Sequence, residues 1–184
     1  MKDGIEFSQW FPWQNRKSVP GSNVGGVYLI ARFPSGQIPN GPANPLEENV
    51  LNIGESGGPT RDGERSFRCL VERWDQWDKA ARTGRKGYHR GGRRFFESGF
   101  PPPPHNLFVA ALQFTMPSAE EVNAYAQESG LEGIDIPHAL VAIRFGHWFL
   151  EVERDLLISY HNAHARLPHC NKEIPHLVLP VRRE

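Results

Sequence analysis

Two short apolar segments near the start of the chain, joined by a long stretch of prolines and glycines, constrain the fold most. Residues 24–33, VGGVYLIARF, and residues 49–54, NVLNIG, both have the composition and alternation of β-strands. The segment between them, FPSGQIPNGPANP at 33–45, ends the first strand and is too long for a tight turn. The sequence therefore predicts two paired strands that are joined by a long loop and not by a tight hairpin turn. Each strand carries a polar side chain near a glycine, Tyr28 in the first and Asn52 in the second.

The remaining elements follow from where glycine and proline interrupt the pattern. Residues 67–82, FRCLVERWDQWDKAAR, contain neither and predict a helix that begins near Ser66, whereas four glycines within 83–95 predict a loop. The other predicted elements are a third strand at 105–115 after four prolines, a short helix at 118–130 ended by Gly130, a long helix at 138–165 with Gly146 as a candidate break, and a closing edge strand at 173–181. Together they predict an α/β (α+β) fold, with a small, mainly antiparallel sheet of three or more strands flanked by helices.

The length of the chain suits one domain with an added segment. We predict an N-terminal aromatic arm at 1–23, a main domain at 24–172 with an inserted helical segment near 117–137, and a C-terminal tail at 173–184. The arm holds Phe7, Trp10, Phe11 and Trp13. These rings either dock on the core of the domain or form a surface on which nucleic-acid bases stack.

The composition limits the classes of partner. Because 21 basic residues balance 21 acidic ones, binding to nucleic acid would need a local patch of positive charge. There is no basic and apolar leader and no apolar run of membrane-spanning length, which predicts a cytoplasmic protein with no membrane partner. The two cysteines, Cys69 and Cys170, form no CxxC pair, so we expect free thiols and no zinc site, while a disulfide between them stays open.

One segment does concentrate positive charge. Between residues 82 and 94 there are six basic residues and no acidic one: Arg82, Arg85, Lys86, Arg90, Arg93 and Arg94. Glycines, Tyr88 and His89 lie among them, and glycine allows a backbone to approach a phosphate closely. The segment therefore predicts contacts to nucleic-acid phosphates, with a plain solvated loop as the alternative.

A carboxylate also lies in an apolar stripe of the last predicted helix. The residues that share this face by their spacing of three and four are Phe149, Val152, Glu153, Leu156, Leu157 and Tyr160. Glu151 points to another side of the helix and has the position of an ordinary solvated charge. A charged carboxylate among apolar side chains is costly unless a cation or a hydrogen-bond donor meets it. Glu153 is therefore a candidate functional residue, and a charge at the edge of its stripe is the alternative.

Five short motifs, in order along residues 24–172, resemble those of the GIY-YIG nuclease family. The matching residues are Gly26, Val27 and Tyr28 in the first motif, Ile53 and Gly54 in the second, Leu70 and Arg73 in the third, Glu153, Leu156 and Leu157 in the fourth, and Pro168 and Asn171 in the last. The resemblance implies a nuclease domain over this range. Its substrate would be DNA, with RNA left open.

The resemblance also implies roles for the matching residues. Glu153 would be the single protein ligand of Mg²⁺ (or Mn²⁺), a hard cation that prefers oxygen ligands. Arg73 would hold the phosphate through its N–H donors. Tyr28 would lie beside the attacking water, and Asn171 would orient the site from its far side.

Two positions depart from the family pattern. The second motif has Asn52 where the family has a tyrosine, and an amide cannot act as a base. Glu55 stands directly after the motif glycine, where many relatives carry a lysine. His89 lies in the segment after the arginine helix, where some relatives also place a histidine, and its ordinary pKa would let it exchange protons near neutrality.

Two functions from different classes remain open at this point. The first is a metal-dependent endonuclease that hydrolyses phosphodiester bonds in DNA, favoured by Arg73, Glu153 and Asn171. The second is a catalytically impaired module of the same fold that binds nucleic acid or a protein, favoured by Asn52 and Glu55. A small-molecule enzyme has less support because the chain has no GxGxxG or P-loop motif. Either a monomer or a homodimer is compatible with the sequence.

Overall fold

A four-stranded antiparallel sheet lies at the centre of the protein. The computed structural model describes residues 5–57, 68–129 and 136–175. Within this part of the chain the strands are β1 (Phe11–Pro12), β2 (Gly26–Arg32), β3 (Val50–Ser56) and β4 (Leu107–Ala111), in the order β1-β4-β2-β3. The helices are α1 (Leu70–Thr83), α2 (Arg90–Glu97), α3 (Ala119–Ser129) and α4 (Ile136–His164), and a 3-10 helix spans Trp13–Ser18. The predicted fold class, an antiparallel sheet flanked by helices, is confirmed.

Strand β2 is the buried centre of the sheet, and it fixes the relation between the two motif strands. Tyr28 lies opposite Gly54 of β3, and Ile30 lies opposite Asn52. Because side chains on a strand alternate between faces, Tyr28 and Asn52 project from the same face as diagonal neighbours. The predicted pairing of the two motif strands is therefore confirmed.

Helices cover both faces of β2, which explains why its residues from Gly26 to Ala31 are all buried. Tyr28 and Ile30 pack in a cluster with Trp74 and Trp77 of α1. On the opposite face, Val27, Leu29 and Ile53 pack against α4. The buried residues of α4 in that cluster include Phe149, Val152, Leu156, Leu157 and Tyr160, so the apolar stripe predicted for this helix is the face that meets the sheet.

Helix α1 begins at Leu70, four residues after the predicted start near Ser66. Residues 68 and 69 are not helical, and Ser66 lies outside the described residues. Cys69 is the N-cap, and its backbone N–H donates to the carboxylate of Glu72 at 3.2 Å. This hydrogen bond satisfies the N–H of the cap residue and marks Cys69 as the position before the first turn, so the helix starts later than the apolar pattern alone indicates.

The prediction of a loop over residues 83–95 was wrong in its second half, because α2 begins at Arg90. This helix contains Gly91 and Gly92, which have low helix propensity. Close packing explains their presence. A Cβ atom on Gly92 would lie 2.3 Å from the backbone oxygen of Trp77, and one on Gly91 would lie 2.1 Å from Oδ1 of Asn52. Only glycine allows α2 to approach α1 and β3 this closely.

The last helix and the chain end differ from prediction in detail. Helix α4 runs without interruption through Gly146. The short helix expected from residue 118 is present as α3, while Gly130, its predicted end, lies outside the described residues. Residues 173–175 of the predicted closing strand are not in a strand, and the rest of that segment is also outside the described residues.

The N-terminal arm docks on the core. Phe7, Trp10 and Trp13 are buried, and Phe11 lies opposite Val109 where β1 pairs with β4. Trp13 donates a hydrogen bond from Nε1 to Asp78 of α1 at 2.7 Å. Because three of the four rings are buried in the core, the docking interpretation is confirmed and these three rings are not available to stack on bases.

Two sequence expectations concern the chain as a whole. Cys69 and Cys170 are both free thiols, as expected. In the described ranges, none of the helices combines the length and the apolarity needed to cross a bilayer.

Candidate active site

Tyr28 reaches the candidate site by crossing the glycine of the neighbouring strand. Its ring lies against Gly54, where an added Cβ atom would come within 2.5 Å of the hydroxyl oxygen. The ring also makes an edge-on contact with Trp74, with centroids 6.1 Å apart. The glycine of the second motif is therefore required by the position of the tyrosine from the first motif.

His89 forms a hydrogen bond of 2.9 Å between its Nε2 atom and the hydroxyl of Tyr28. Its other ring nitrogen, Nδ1, accepts hydrogen bonds from the backbone N–H groups of Gly91 and Gly92 at 3.1 and 3.4 Å. An acceptor Nδ1 in a neutral imidazole places the proton on Nε2. His89 therefore caps α2 and donates its Nε2–H to the oxygen of Tyr28.

The expectation that His89 exchanges protons near neutrality was wrong. Burial, and then the positive charge of Arg73, hold the pKa of His89 well below its usual value of 6.5. The sequence could not show this because the ring becomes buried only when α2 packs beside Tyr28. At neutral pH the imidazole is neutral and acts as a hydrogen-bond donor of fixed orientation.

Arg73 is close enough to shift the pKa values of three residues of the site. Its guanidinium lowers the pKa of Tyr28 and of His89, and it opposes the rise in the pKa of Glu153. The Nε atom of Arg73 is buried and has no hydrogen-bond partner among the described residues. The arginine predicted from the third motif is thus close enough to influence Tyr28, His89 and Glu153 together.

Glu153 is held in surroundings that disfavour its charge. Burial, and then the nearby carboxylate of Glu55, raise its pKa from 4.5 to about 8, although Arg73 acts in the opposite direction. Glu55 lies opposite Val27 in the sheet, and therefore on the face that α4 covers. Among the described residues, Glu55 therefore adds to the burial that disfavours the charged form of Glu153.

The hydroxyl of Tyr28 is protonated at neutral pH. Burial is the main cause that raises its pKa, Glu153 and Glu55 contribute in the same direction, and Arg73 opposes them. Because the oxygen accepts a hydrogen bond from His89, the O–H of Tyr28 remains to donate to a further group. The negative charges nearby and the burial make the phenolate costly.

Asn171 meets the edge of β3 with both ends of its amide. Its Oδ1 accepts from the backbone N–H of Ile53 at 3.0 Å, and its Nδ2 donates to the carbonyl of Ile53 at 2.7 Å. The preceding residue, Cys170, donates its N–H to the carbonyl of Leu51 at 2.7 Å. Asn171 therefore holds the strand that carries the second motif, between Asn52 and Gly54.

Asn52 is buried in the interface between β3 and α2, with 2% of its surface exposed. Its side-chain oxygen lies against Gly91. In this position it fixes how closely α2 approaches the sheet, and through that the position of His89. This tightly packed position accommodates a small polar residue. Asn52 does not provide the phenol that a tyrosine of the family pattern would provide.

The six basic residues predicted to contact nucleic acid do not remain a uniform patch. Ion pairs join Arg82 to Asp78, Arg90 to Glu173 and Arg93 to Glu97. Arg94 donates from Nη1 to the carbonyl of Asn171 at 2.8 Å, so it supports the turn that holds β3. All three acidic partners lie outside residues 82–94, so the sequence of that segment does not reveal them.

Arg85 and Lys86 are exposed, and neither has an acidic partner among the residues that the structure describes. Arg85 lies against Tyr88, with its guanidinium carbon 5.5 Å from the ring centroid.

Glu55 is the residue of the site that sequence reasoning missed, since the sequence showed it only as a departure from the family pattern. Pairing it with Val27 across an antiparallel strand pair would have placed it on the side of Glu153.

Comparison with protein-family models, with curated proteins and with solved structures found no match to this chain. Among the described residues there is also no group of three or more His, Cys, Asp or Glu side chains placed to hold a metal ion. The residues that interact at the candidate site are Tyr28, Arg73, His89 and Glu153, and Glu55 influences Glu153.

Proposed function

We propose that this protein is a divalent-metal-dependent endonuclease of the GIY-YIG type that hydrolyses DNA in the cytoplasm. The observation that carries the proposal is that Arg73 interacts electrostatically with Tyr28, His89 and Glu153, which come from separate parts of the chain. Three of these four residues match motifs of the family, and the fourth directly contacts Tyr28.

Arg73 has the properties of a phosphate ligand. Its Nε–H lacks a partner among the described residues, and an unsatisfied buried donor is costly. A phosphate oxygen would satisfy this donor with a charge-assisted hydrogen bond. The role proposed for Arg73 is therefore to bind the phosphodiester and to neutralise charge that develops on it during hydrolysis.

The two carboxylates fit Mg²⁺ or Mn²⁺ by their chemistry. Both are oxygen ligands of the kind that hard cations prefer, and a cation would relieve the cost of a charged Glu153 whose pKa is raised by burial and then by Glu55. Glu153 would hold the ion, with Glu55 next to it. When bound, such a cation neutralises charge on the phosphate and lowers the pKa of coordinated water.

Tyr28 and His89 would position the attacking water. Because His89 donates to the oxygen of Tyr28, the O–H of Tyr28 is left to donate in a defined direction. Because burial raises the pKa of Tyr28, its protonated hydroxyl would act as a hydrogen-bond donor that orients the water or phosphate, not as the base. Asn171 would contribute by holding β3 rather than by touching the phosphate.

The alternative function is a binding module with the same fold and no hydrolysis. The burial of Asn52 against α2 favours this alternative, since the second tyrosine of the family pattern is absent and its position is closed. In that case DNA or a protein would be bound and left intact. RNA, and a homodimer as well as a monomer, remain compatible with both functions.

Cleavage assays on two matched variants test the proposal. Wild-type protein would be incubated with plasmid, single-stranded DNA and RNA in Mg²⁺ and in Mn²⁺, beside Glu153→Gln and Glu151→Gln. Glu151 is an exposed glutamate on the same helix. We expect wild type and Glu151→Gln to cut DNA, and Glu153→Gln to bind DNA but to lose about 100-fold or more in rate, the order expected when a group that stabilises the transition state is removed.

The same assay separates the two functions. Full-rate cleavage by Glu153→Gln would refute the role given to Glu153. Binding of DNA by the wild type without cleavage in either metal would establish the binding module instead.

A further inference from the structure

A pocket of about 270 Å³ lies beside the candidate active site and is lined by residues 85–90 and by Arg93. Four of its lining side chains are cationic, namely Arg85, Lys86, Arg90 and Arg93, and no acidic residue is among the described residues that line it. Such a concentration of positive charge in a concave surface attracts an anion.

The pocket shares a wall with the candidate active site. His89 is one of its lining residues, and the same imidazole bonds Tyr28 through Nε2. An anion in the pocket would therefore lie near His89, which also contacts Tyr28. This relation makes the pocket a neighbour of the proposed scissile phosphate and distinct from the position that Arg73 would bind.

One of these four cations, Arg85, is held in place by contacts with Tyr88. Lys79 does not line the pocket but lies against the same ring. Nζ of Lys79 lies 4.5 Å from the centroid of Tyr88, and the guanidinium carbon of Arg85 lies 5.5 Å from it. Arg85 also approaches the hydroxyl of Tyr88 at 3.5 Å. These contacts orient Arg85 at the pocket before any ligand binds, which reduces the entropy lost on binding.

Two more of the four cations, Arg90 and Arg93, are paired only weakly. Arg90 contacts Glu173, and Arg93 contacts Glu97, each with an N–O distance of 3.2 Å and with both acidic side chains more than half exposed. Exposed ion pairs contribute little to stability. A phosphate, which carries a full negative charge and several acceptor oxygens, can therefore replace the carboxylates as the partner of these arginines.

We propose that this pocket binds a phosphate of the nucleic-acid strand next to the one that is hydrolysed. The proposal rests on the proposed function for the identity of the strand, whereas the pocket and its charge do not depend on cleavage. Its chemistry, a phosphate oxygen held by several cations, is shared by a backbone phosphodiester and by free phosphate. The test separates these two sources.

The first measurement is binding of a fluorescein-labelled DNA duplex in EDTA at several salt concentrations, so that no cleavage occurs. The variant Arg85→Gln/Lys86→Gln would be compared with wild type and with Lys17→Gln/Arg166→Gln, which removes two exposed charges elsewhere. Each lost phosphate contact should flatten the slope of log affinity against log salt by about 0.9. We expect a flattening of about one to two in the pocket variant and none in the control.

The second measurement is the change in the backbone amide NMR signals of Gly87 and Tyr88 when inorganic phosphate replaces chloride at equal ionic strength. We expect these signals to shift in the wild type and in the control, and not in the pocket variant. The single variant Lys86→Glu should also suppress the shifts, since it places an acid in the pocket.

Each outcome bears on the proposal. An unchanged salt slope with no phosphate-dependent shifts would overturn the pocket as an anion site. Shifts with phosphate but an unchanged slope with DNA would overturn the assignment to a nucleic-acid strand and identify a site for free phosphate. Because binding is measured without metal, a wild type that fails to cut DNA removes the proposed hydrolysis and leaves the pocket result intact.

Discussion

A single buried histidine, His89, connects three parts of the candidate site. Its Nδ1 accepts from the N-terminus of α2, its Nε2 donates to Tyr28, and its ring forms part of the basic pocket. The tautomer is set by the backbone of α2, so the direction of the hydrogen bond to Tyr28 is a consequence of where the helix begins. This dependence could not be read from the sequence, in which residues 83–95 are typical of a loop.

The low pKa of His89 predicts a pH dependence of stability. In the unfolded chain the imidazole of His89 takes up a proton near pH 6.5, whereas in the folded protein it stays neutral until a much lower pH. The stability that depends on neutral His89 is therefore fully present above about pH 6.5 and is lost as the pH falls below it. His89→Asn can still cap α2 through its side-chain oxygen but does not titrate.

We expect the free energy of unfolding of wild type, measured by urea denaturation, to fall relative to that of His89→Asn as the pH is lowered from 7 to 5. The other histidines are common to both proteins and cancel in the difference. A difference that stays constant over this range would show that burial does not suppress the charge of His89.

Arg94 gives a second prediction at the scale of one residue. The sequence predicts that it contacts nucleic acid, whereas in the structure it supports the turn that holds β3. Replacing Arg94 with Gln removes its charge-assisted hydrogen bond to the carbonyl of Asn171. We expect a loss of about 1–2 kcal/mol in the free energy of unfolding, with little change in the salt slope of DNA binding. Arg85→Gln should show the reverse, a flatter slope and near-normal stability. Equal slopes for the two variants would contradict the reassignment.

At the scale of elements, the packing of α2 on α1 positions the site. Helix α1 ends at Thr83 and is capped by Gly84, whose backbone is in the left-handed region with a φ of 65°. The chain then returns to place α2 against α1. Glycine adopts this conformation without strain. The ring of Phe96 lies where a Cβ atom of Gly84 would be, so the same residue permits both the turn and the close contact.

Gly92→Ala tests this packing. The added methyl would lie 2.3 Å from the carbonyl oxygen of Trp77, which is backbone and cannot rotate away. Although alanine favours helix by about 1 kcal/mol, we expect a net loss of about 1–3 kcal/mol because α2 must move away from α1. Urea denaturation measures the loss. The control Glu97→Ala, on the exposed side of α2, should cost about 0.5 kcal/mol or less, and equal stability of the two variants would argue against tight packing.

At the scale of the whole molecule, the sequence predicted the elements better than their contacts. The strand pair, the helix that carries Arg73 and the apolar face that carries Glu153 follow from local patterns of apolar residues. The ion partners of the basic residues, the helix α2 and the burial of His89 depend on segments far apart in sequence. Periodicity carries no information about such contacts. Gly91 and Gly92 indicated a loop in the sequence, but they are present because α2 packs closely against its neighbours.

The short turn that places Asn171 against Ile53 also bears on how copies of the protein can meet. Strand β3 is at the edge of the sheet, and an open edge offers unpaired N–H and C=O groups to strands of other chains, the usual start of aggregation. Here the carbonyl of Leu51 and both backbone groups of Ile53 are already occupied from within the chain. The sheet is therefore closed to extension along this part of β3, and intermolecular β-pairing there would first require the turn to detach.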